Sequence, residues 1–169
     1  MELLTVLVIN SLVVALAVVI HYETLYQLAR HLPRVRVPPR YKVLWGVFLI
    51  LVAHVAEIWL FALTYWGLLR VDGMGTLTGN VSNGGTLLDC SYFSFVTFTT
   101  VGYGDIVATG PIRYLTGIEA LTGFVLITWS ASFLFLEMQK YWPGLASARG
   151  HREDPSPRHD AQATGRHGL

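Results

Sequence analysis

Three long apolar stretches constrain the fold of this chain most strongly. They run from Leu3 to Ile20, from Val43 to Leu69 and from Ile112 to about Tyr141. A helix of about 20 apolar residues crosses a hydrocarbon core of roughly 30 Å. The mean hydropathy of +0.48 is also too high for an ordinary soluble domain. The sequence therefore predicts an all-α integral membrane protein with three transmembrane helices in a lipid bilayer.

The first stretch differs from a secretory signal peptide in two ways. No lysine or arginine precedes it, and Ile20 is followed by HYETLYQLARHL instead of the small residues of a cleavage site. We therefore expect residues 1–20 to be retained as an extra N-terminal transmembrane helix.

Basic residues are concentrated in two segments, residues 21–42 and residues 140–169. Cytoplasmic segments of membrane proteins are enriched in lysine and arginine. We therefore expect both segments to be cytoplasmic, with the N-terminus and residues 70–112 on the outer side. The net charge of +1 comes without a basic stripe on any predicted helix, so no nucleic-acid partner is expected.

The segments outside the three apolar stretches divide the chain further. In the cytoplasmic loop 21–42, apolar residues recur on one face from Tyr22 to Leu32. This spacing indicates a short interfacial helix ended by Pro33, or else a loop with incidental apolar residues. Residues 70–85 are rich in glycine and small polar residues and indicate a mobile external loop. Residues 142–169 lack apolar periodicity and are expected to form a disordered cytoplasmic tail.

A shorter apolar segment, TLLDCSYFSFVTFT, occupies residues 86–99 and cannot cross the bilayer. We expect a re-entrant helix that enters from outside, with Asp89 near the positive end of its dipole. The run TTVGYGD at residues 99–105 follows and interrupts the helical pattern. Non-helical backbone at membrane depth is tolerated where it is buried in protein or lines a watery cavity.

The peptide carbonyls of this run are candidate ligands for a dehydrated cation. Glycine permits backbone dihedrals that are closed to other residues, so successive carbonyls can point the same way. One chain would supply one edge of a ladder of oxygen sites, and four chains around an axis would complete it. The predicted ligands are the carbonyls of Thr100, Val101, Gly102 and Tyr103, together with the Thr100 hydroxyl.

Residues 86–105 resemble the pore helix and selectivity filter of potassium channels, because TTVGYGD matches that signature at every position. The resemblance covers residues 43–140, as in bacterial two-helix channels, and leaves the first helix unexplained. It divides a pore domain (43–141) into an outer helix (43–69), the external loop (70–85), a pore helix (86–99), the filter (100–105) and an inner helix (112–141).

The resemblance implies a homotetramer that conducts K⁺ passively across the cell membrane of a bacterium. It implies no organic cofactor and no organic small-molecule substrate. A voltage sensor of the family's arginine-repeat type is excluded, because residues 3–20 contain no arginine.

The residues around the filter carry further implications of the same resemblance. Nonselective relatives differ from the filter signature at the positions of Tyr103 and Asp105. The presence of both residues here therefore favours selectivity for potassium over sodium. Tyr92 aligns with a tryptophan that hydrogen-bonds the acid after the filter, and Asp105 is expected to accept such a bond. Val96 replaces a glutamate of the bacterial two-helix channels, so their carboxyl pair is absent. The residues expected to support the filter are Gly104, Asp105, Tyr92, Val96 and Thr99.

Gly123 lies within one residue of the position of the inner-helix glycine hinge in these channels. Gly117 competes for that role, and packing of small residues is the alternative explanation for either glycine. If Gly123 is the hinge, four Phe135 rings would form an apolar constriction that gates by dewetting. The residues then directed to the axis are Phe124, Ile127, Thr128, Ala131 and Phe135.

Three ionisable residues within the predicted spans, His54, Glu57 and Glu119, are further gating candidates. Because His54 and Glu57 are three residues apart, they share a helix face and can interact. Glu119 is expected to face the back of the pore helix, as the resemblance implies. These groups serve either as a proton-sensitive gate or as hydrogen-bonded anchors of helix packing.

Two other function classes are weighed against a channel. In the first alternative the chain is a non-conducting accessory subunit, and in the second it is a subunit of an active potassium uptake system. A single, intact filter segment argues against both. No catalytic arrangement accompanies a soluble pocket, so an enzyme is not expected, and nothing in the sequence names the gating stimulus.

Overall fold

A computed structural model describes residues 2–34, 36, 38–82 and 84–141. Its order of elements is helix, helix, strand, helix, strand, helix, with one 3-10 turn at Leu32–Arg34. The tail expected at residues 142–169 lies outside the described residues. The elements are α1 (Glu2–His31), α2 (Pro39–Leu68), β1 (Thr76–Gly79), α3 (Leu87–Phe98), β2 (Ile106–Thr109) and α4 (Ile112–Tyr141).

Helices α1, α2 and α4 are long and apolar enough to cross a membrane. All three pack against one another, and the short helix α3 packs against α2 and α4. Their largest fully buried side chains include Phe61, Tyr65 and Phe98, which come from α2 and from the end of α3. The prediction of three membrane-spanning helices and one shorter helix is therefore confirmed.

Helix α1 is longer than the sequence analysis expects. It continues without a break to His31, because no helix-breaking residue occurs between Ile20 and Pro33. Its last turns do not form a separate interfacial helix, so that prediction is wrong. The apolar face expected to lie on the membrane surface instead contributes Leu25, Leu28 and Leu32 to a buried cluster with Ile50 of α2.

The segment 70–85 contains a strand where an irregular external loop is expected. Strand β1 pairs antiparallel with β2, and the register runs from Thr76 opposite Thr109 to Gly79 opposite Ile106. The backbones approach closely at Gly79, where an added Cβ would lie 2.1 Å from the carbonyl oxygen of Asp105. This sheet fixes the chain that follows the TTVGYGD run to the loop that precedes α3.

Candidate functional site

Helix α3 begins with a capping box that fixes its first turn. The Thr86 hydroxyl accepts a hydrogen bond from the Asp89 amide at 3.2 Å, and the Asp89 carboxylate accepts one from the Thr86 amide at 2.9 Å. The hydrogen bond from the Thr86 amide is the main cause that lowers the pKa of the Asp89 carboxyl group from its ordinary value, and the Thr86 hydroxyl is the second cause. The predicted favourable position of Asp89 at the helix start is confirmed by these contacts.

The backbone after α3 alternates in handedness. Positive φ angles occur at every second residue, with 59° at Thr100, 58° at Gly102 and 78° at Gly104. Thr100 is the one residue other than glycine with positive φ in the described part of the chain, and such a conformation costs of order 1–3 kcal/mol. Alternating handedness aligns successive peptide groups, so that their N–H groups gather on one side.

Hydrogen bonds show which way these peptide groups face. The Val96 carbonyl of α3 accepts from the Val101 amide at 3.0 Å and from the Gly102 amide at 3.3 Å. In a trans peptide the C=O group points opposite to the N–H group. The carbonyls of Thr100 and Val101 therefore point away from α3.

The C-terminal end of the run, at Asp105, is tied to two elements. The Tyr92 hydroxyl donates to the Asp105 carboxylate at 2.8 Å, so the contact expected from the sequence is present. This bond to Asp105 is the main cause that raises the pKa of Tyr92. The Asp105 carbonyl also accepts from the Asn80 amide at 2.9 Å, which connects it to the end of β1.

The remaining residues predicted to support the run lie beside it. Thr99 caps the end of α3, and its hydroxyl donates to the Phe95 carbonyl at 2.7 Å. Val96 contributes its carbonyl, and its side chain brings no carboxyl group to Asp105. Tyr103 is 72% exposed in the single chain.

A family model described as an ion channel matches residues 44–140, which is more than half of the chain. The chain belongs to this ion channel family. No curated protein and no solved structure matches it. The matched segment contains most of α2, all of α3 and the TTVGYGD run, and α4 up to its last residue, while α1 lies outside it.

Behind the TTVGYGD run of this ion channel, Glu119 joins three helices. Its carboxyl group accepts from the Tyr65 hydroxyl of α2 at 2.7 Å and makes a short hydrogen bond with the Ser94 hydroxyl of α3. Glu119 is fully buried. The structure thus places Glu119 against the pore helix, where the sequence analysis expects it.

Gly123 packs directly on the end of α3. An added Cβ would lie 2.0 Å from the Phe98 carbonyl oxygen, whereas Gly117 has no such neighbour within 4 Å. Helix α4 is continuous through both glycines. Close packing against α3 therefore explains why glycine occupies position 123. The role of Gly123 as a hinge stays a prediction.

The other two ionisable gating candidates belong to a second buried cluster. His54 Nδ1 lies 2.9 Å from Glu57 Oε2, as their spacing predicts. His21 of α1 and Ser130 of α4 complete this cluster, although neither residue is predicted from the sequence. The available signal was a histidine directly after the apolar run that ends at Ile20.

One face of α4 is not covered by the rest of its own chain. Phe135 is 59% exposed and Phe124 is 60% exposed. The residues expected to face the axis are all exposed in the single chain, namely Phe124, Ile127, Thr128, Ala131 and Phe135.

Proposed function

We propose that this ion channel is a homotetramer that conducts K⁺ passively. The observation that carries the proposal is the alternating backbone of Thr100–Gly104. The amides of Val101 and Gly102 face the Val96 carbonyl, so the carbonyls of Thr100 and Val101 are turned away from α3. Carbonyls aligned in this way replace the water shell of a dehydrated ion. The ion ligands are the carbonyls of Thr100, Val101, Gly102 and Tyr103 and the Thr100 hydroxyl.

A tetramer is proposed because one chain carries a single run of this kind. Four copies are needed to surround an ion, and closed cyclic symmetry is the usual form of such assemblies. The uncovered face of α4 supports this arrangement, since its exposed side chains then meet around the axis. Native mass spectrometry should give four chains of 18.8 kDa, and a stable dimer or monomer would contradict the proposal.

The proposed orientation places the TTVGYGD run near the outer side of a bacterial plasma membrane. The basic segments before α2 and after α4 support it. Cysteines placed singly in residues 72–82 should react with an impermeant thiol reagent added outside intact cells. Reaction from the cytoplasmic side alone would reverse the orientation.

Selectivity is tested with purified protein in planar bilayers that separate mixed potassium and sodium solutions. The reversal potential should follow the potassium gradient, and a potential that follows sodium would contradict the proposal. Tetramers that pass neither ion would favour the accessory-subunit alternative. Tetramers that pass ions only with an energised partner would favour an uptake system.

A glycine pair provides a matched mutational test of the same proposal. Gly102→Ala places a side chain on a residue with φ of 58°, so the carbonyl alignment should be lost together with nearly all potassium flux. Gly67→Ala lies in α2 with no neighbour within 4 Å and should conduct like the wild type. Equal flux from the two variants would argue that residues 100–104 do not form the ion path.

A further inference from the structure

Four polar side chains from three helices meet in the interior of the chain. The Glu57 carboxylate bridges two histidines, with Oε1 2.9 Å from His21 Nδ1 and Oε2 2.9 Å from His54 Nδ1. On the other side of both rings, Ser130 Oγ lies 3.3 Å from His21 Nε2 and 3.2 Å from His54 Nε2. The four side chains therefore form a closed ring of four contacts, which we call the His–Glu–Ser ring.

The ring is shielded from solvent and joins distant parts of the chain. His21 and Glu57 are fully buried, Ser130 is 4% exposed, and the His54 side chain is 12% exposed. The titratable groups that face one another are His21 from α1 and His54 and Glu57 from α2. Helix α4 adds the Ser130 hydroxyl and the Trp129 ring, and α3 adds the Phe98 ring.

The number of protons decides whether all four contacts are hydrogen bonds. Every contact joins two atoms with lone pairs, so each needs one hydrogen. With Glu57 ionised and both imidazoles neutral, the ring holds three hydrogens, and one contact sets two acceptors against each other. A fourth proton, on Glu57 or on either imidazole, completes all four bonds and leaves the ring without net charge.

Low dielectric surroundings favour this four-proton state. A buried charge without compensation is costly, and an unmade hydrogen bond between buried polar groups costs about 1–3 kcal/mol. Loss of the fourth proton incurs both costs together. A fifth proton would give the ring a buried net positive charge, and with both Nε2–H groups donating to Ser130 the serine hydrogen would have no partner in the ring.

We propose that the His–Glu–Ser ring is a proton-dependent link that fastens α1 to the inner helix α4. The ring is closed with four protons and opens as the pH rises and the fourth proton leaves. Ser130 lies about two helical turns beyond Gly123 and next to Ala131 of the uncovered α4 face. Opening of the ring therefore frees α4 at the level of the proposed pore. The expected effect on conduction rests on the proposed function, while the effect on helix attachment does not.

A metal ion is the competing occupant of this place. Two imidazoles and a carboxylate are ligand types that zinc accepts, and their candidate ligand atoms lie within 4.8 Å of one another. In the ring, however, each carboxylate oxygen already lies at hydrogen-bond distance from one Nδ1 atom, and Ser130 takes up both Nε2 atoms. An ion would have to displace protons from both carboxylate contacts, so the distances favour protons.

Glu57→Gln offers a sharp test because it keeps four hydrogens and removes the titration at this position. The amide N–H donates to one Nδ1 atom, and the amide oxygen accepts from the other. Ser130→Ala opens the ring on its other side. Ser132→Ala is the matched control, because the Ser132 hydroxyl bonds the Thr128 carbonyl of its own helix at 3.0 Å.

The thermal midpoint of the purified full-length protein is measured from acidic to alkaline pH, and potassium flux is measured in parallel in liposomes. The wild-type midpoint should fall on the alkaline side, whereas Glu57→Gln should keep its highest value there. Ser130→Ala should lie about 5 °C below wild type at the pH of greatest stability, as expected for lost buried hydrogen bonds. Ser132→Ala should follow the wild type.

Flux should follow the same pattern, with pH-dependent flux in the wild type and constant flux in Glu57→Gln at neutral and alkaline pH. A wild-type midpoint that does not change with pH would overturn the proposal. So would a Glu57→Gln protein as unstable as Ser130→Ala, or stoichiometric bound metal whose removal lowers the midpoint. If no variant conducts, the proposed function fails, and the midpoints still decide whether the ring exists.

Discussion

At the scale of single residues, the structure gives Gly123 a specific physical requirement. The Phe98 carbonyl oxygen occupies the space in which any Cβ at position 123 would stand. Gly117, six residues earlier on the same helix, meets no such obstacle. The two glycines that compete for a hinge role in the sequence are thus different in their surroundings.

We predict opposite effects for alanine at these two positions. Gly123→Ala should destabilise the protein by about 1–3 kcal/mol, because the Cβ must push α4 away from α3. Gly117→Ala should stabilise it by up to about 1 kcal/mol through helix propensity. Thermal or denaturant unfolding in detergent measures both. Equal stability of the two variants would show that α4 does not approach Phe98 as described.

At the scale of elements, α3 is held at its start by a charged cap. The carboxylate of Asp89 accepts from the amides of Thr86 and Ser82, and these bonds are stronger when the carboxyl group is ionised. A carboxyl whose pKa is lowered by folding stabilises the fold above its unfolded pKa, and this contribution is lost as the pH falls through the folded value.

We therefore predict that Asp89 makes stability fall as the pH drops below 3.8, its ordinary pKa. Asp89→Asn should be less stable than the wild type at neutral pH and should lose this part of the acid dependence. Asp72→Asn, at an exposed position before β1, should keep it. Unfolding midpoints between pH 2 and pH 7 provide the measurement, and parallel curves for wild type and Asp89→Asn would exclude the cap as the cause.

The two-stranded sheet is the second element with a testable contribution. Gly79 and Gly84 both have positive φ, 108° and 78°, but only Gly79 has a backbone atom against its missing Cβ. Gly79→Ala should therefore separate β1 from Asp105 and reduce potassium flux several-fold. Gly84→Ala carries a similar dihedral penalty without the clash and should conduct nearly normally. If both variants lose the same flux, dihedral strain explains the effect and the sheet contact does not.

Local patterns predict α3 and its neighbours well, because the signals are contained in short stretches of sequence. Thr86 and Asp89 mark the start of α3, and the spacing of Tyr92 from Asp105 follows from a known signature. The His–Glu–Ser ring was not predictable in this way, since Ser130 and His21 are 109 residues apart. Strand β1 was missed because four residues rich in glycine and threonine have no distinctive alternation.

At the scale of the whole molecule, the described chain leaves one face of α4 uncovered. Phe135 lies near the C-terminal end of this face, beyond Ala131. In the proposed tetramer, four Phe135 rings would line one level of the pore. An apolar constriction of this kind stops ion flow by excluding water.

We predict that Phe135→Asn will raise the basal potassium flux several-fold, because four asparagine side chains around the axis keep water in the constriction. Leu136→Asn is the control, since this neighbouring side chain is also exposed but points about 100° away around the helix. Liposome flux under identical conditions compares the two. A larger rise from Leu136→Asn would place a different face of α4 toward the axis.

In the proposed tetramer and orientation, the two attachments of Asp105 have a consequence for control of the channel from outside. Its side chain is held by Tyr92, and its carbonyl is held by Asn80 at the end of the external segment. A force applied to residues 70–82 is therefore transmitted to the outer mouth of the ion path through a few covalent and hydrogen bonds. An antibody or small protein that binds this segment would alter conductance without entering the pore.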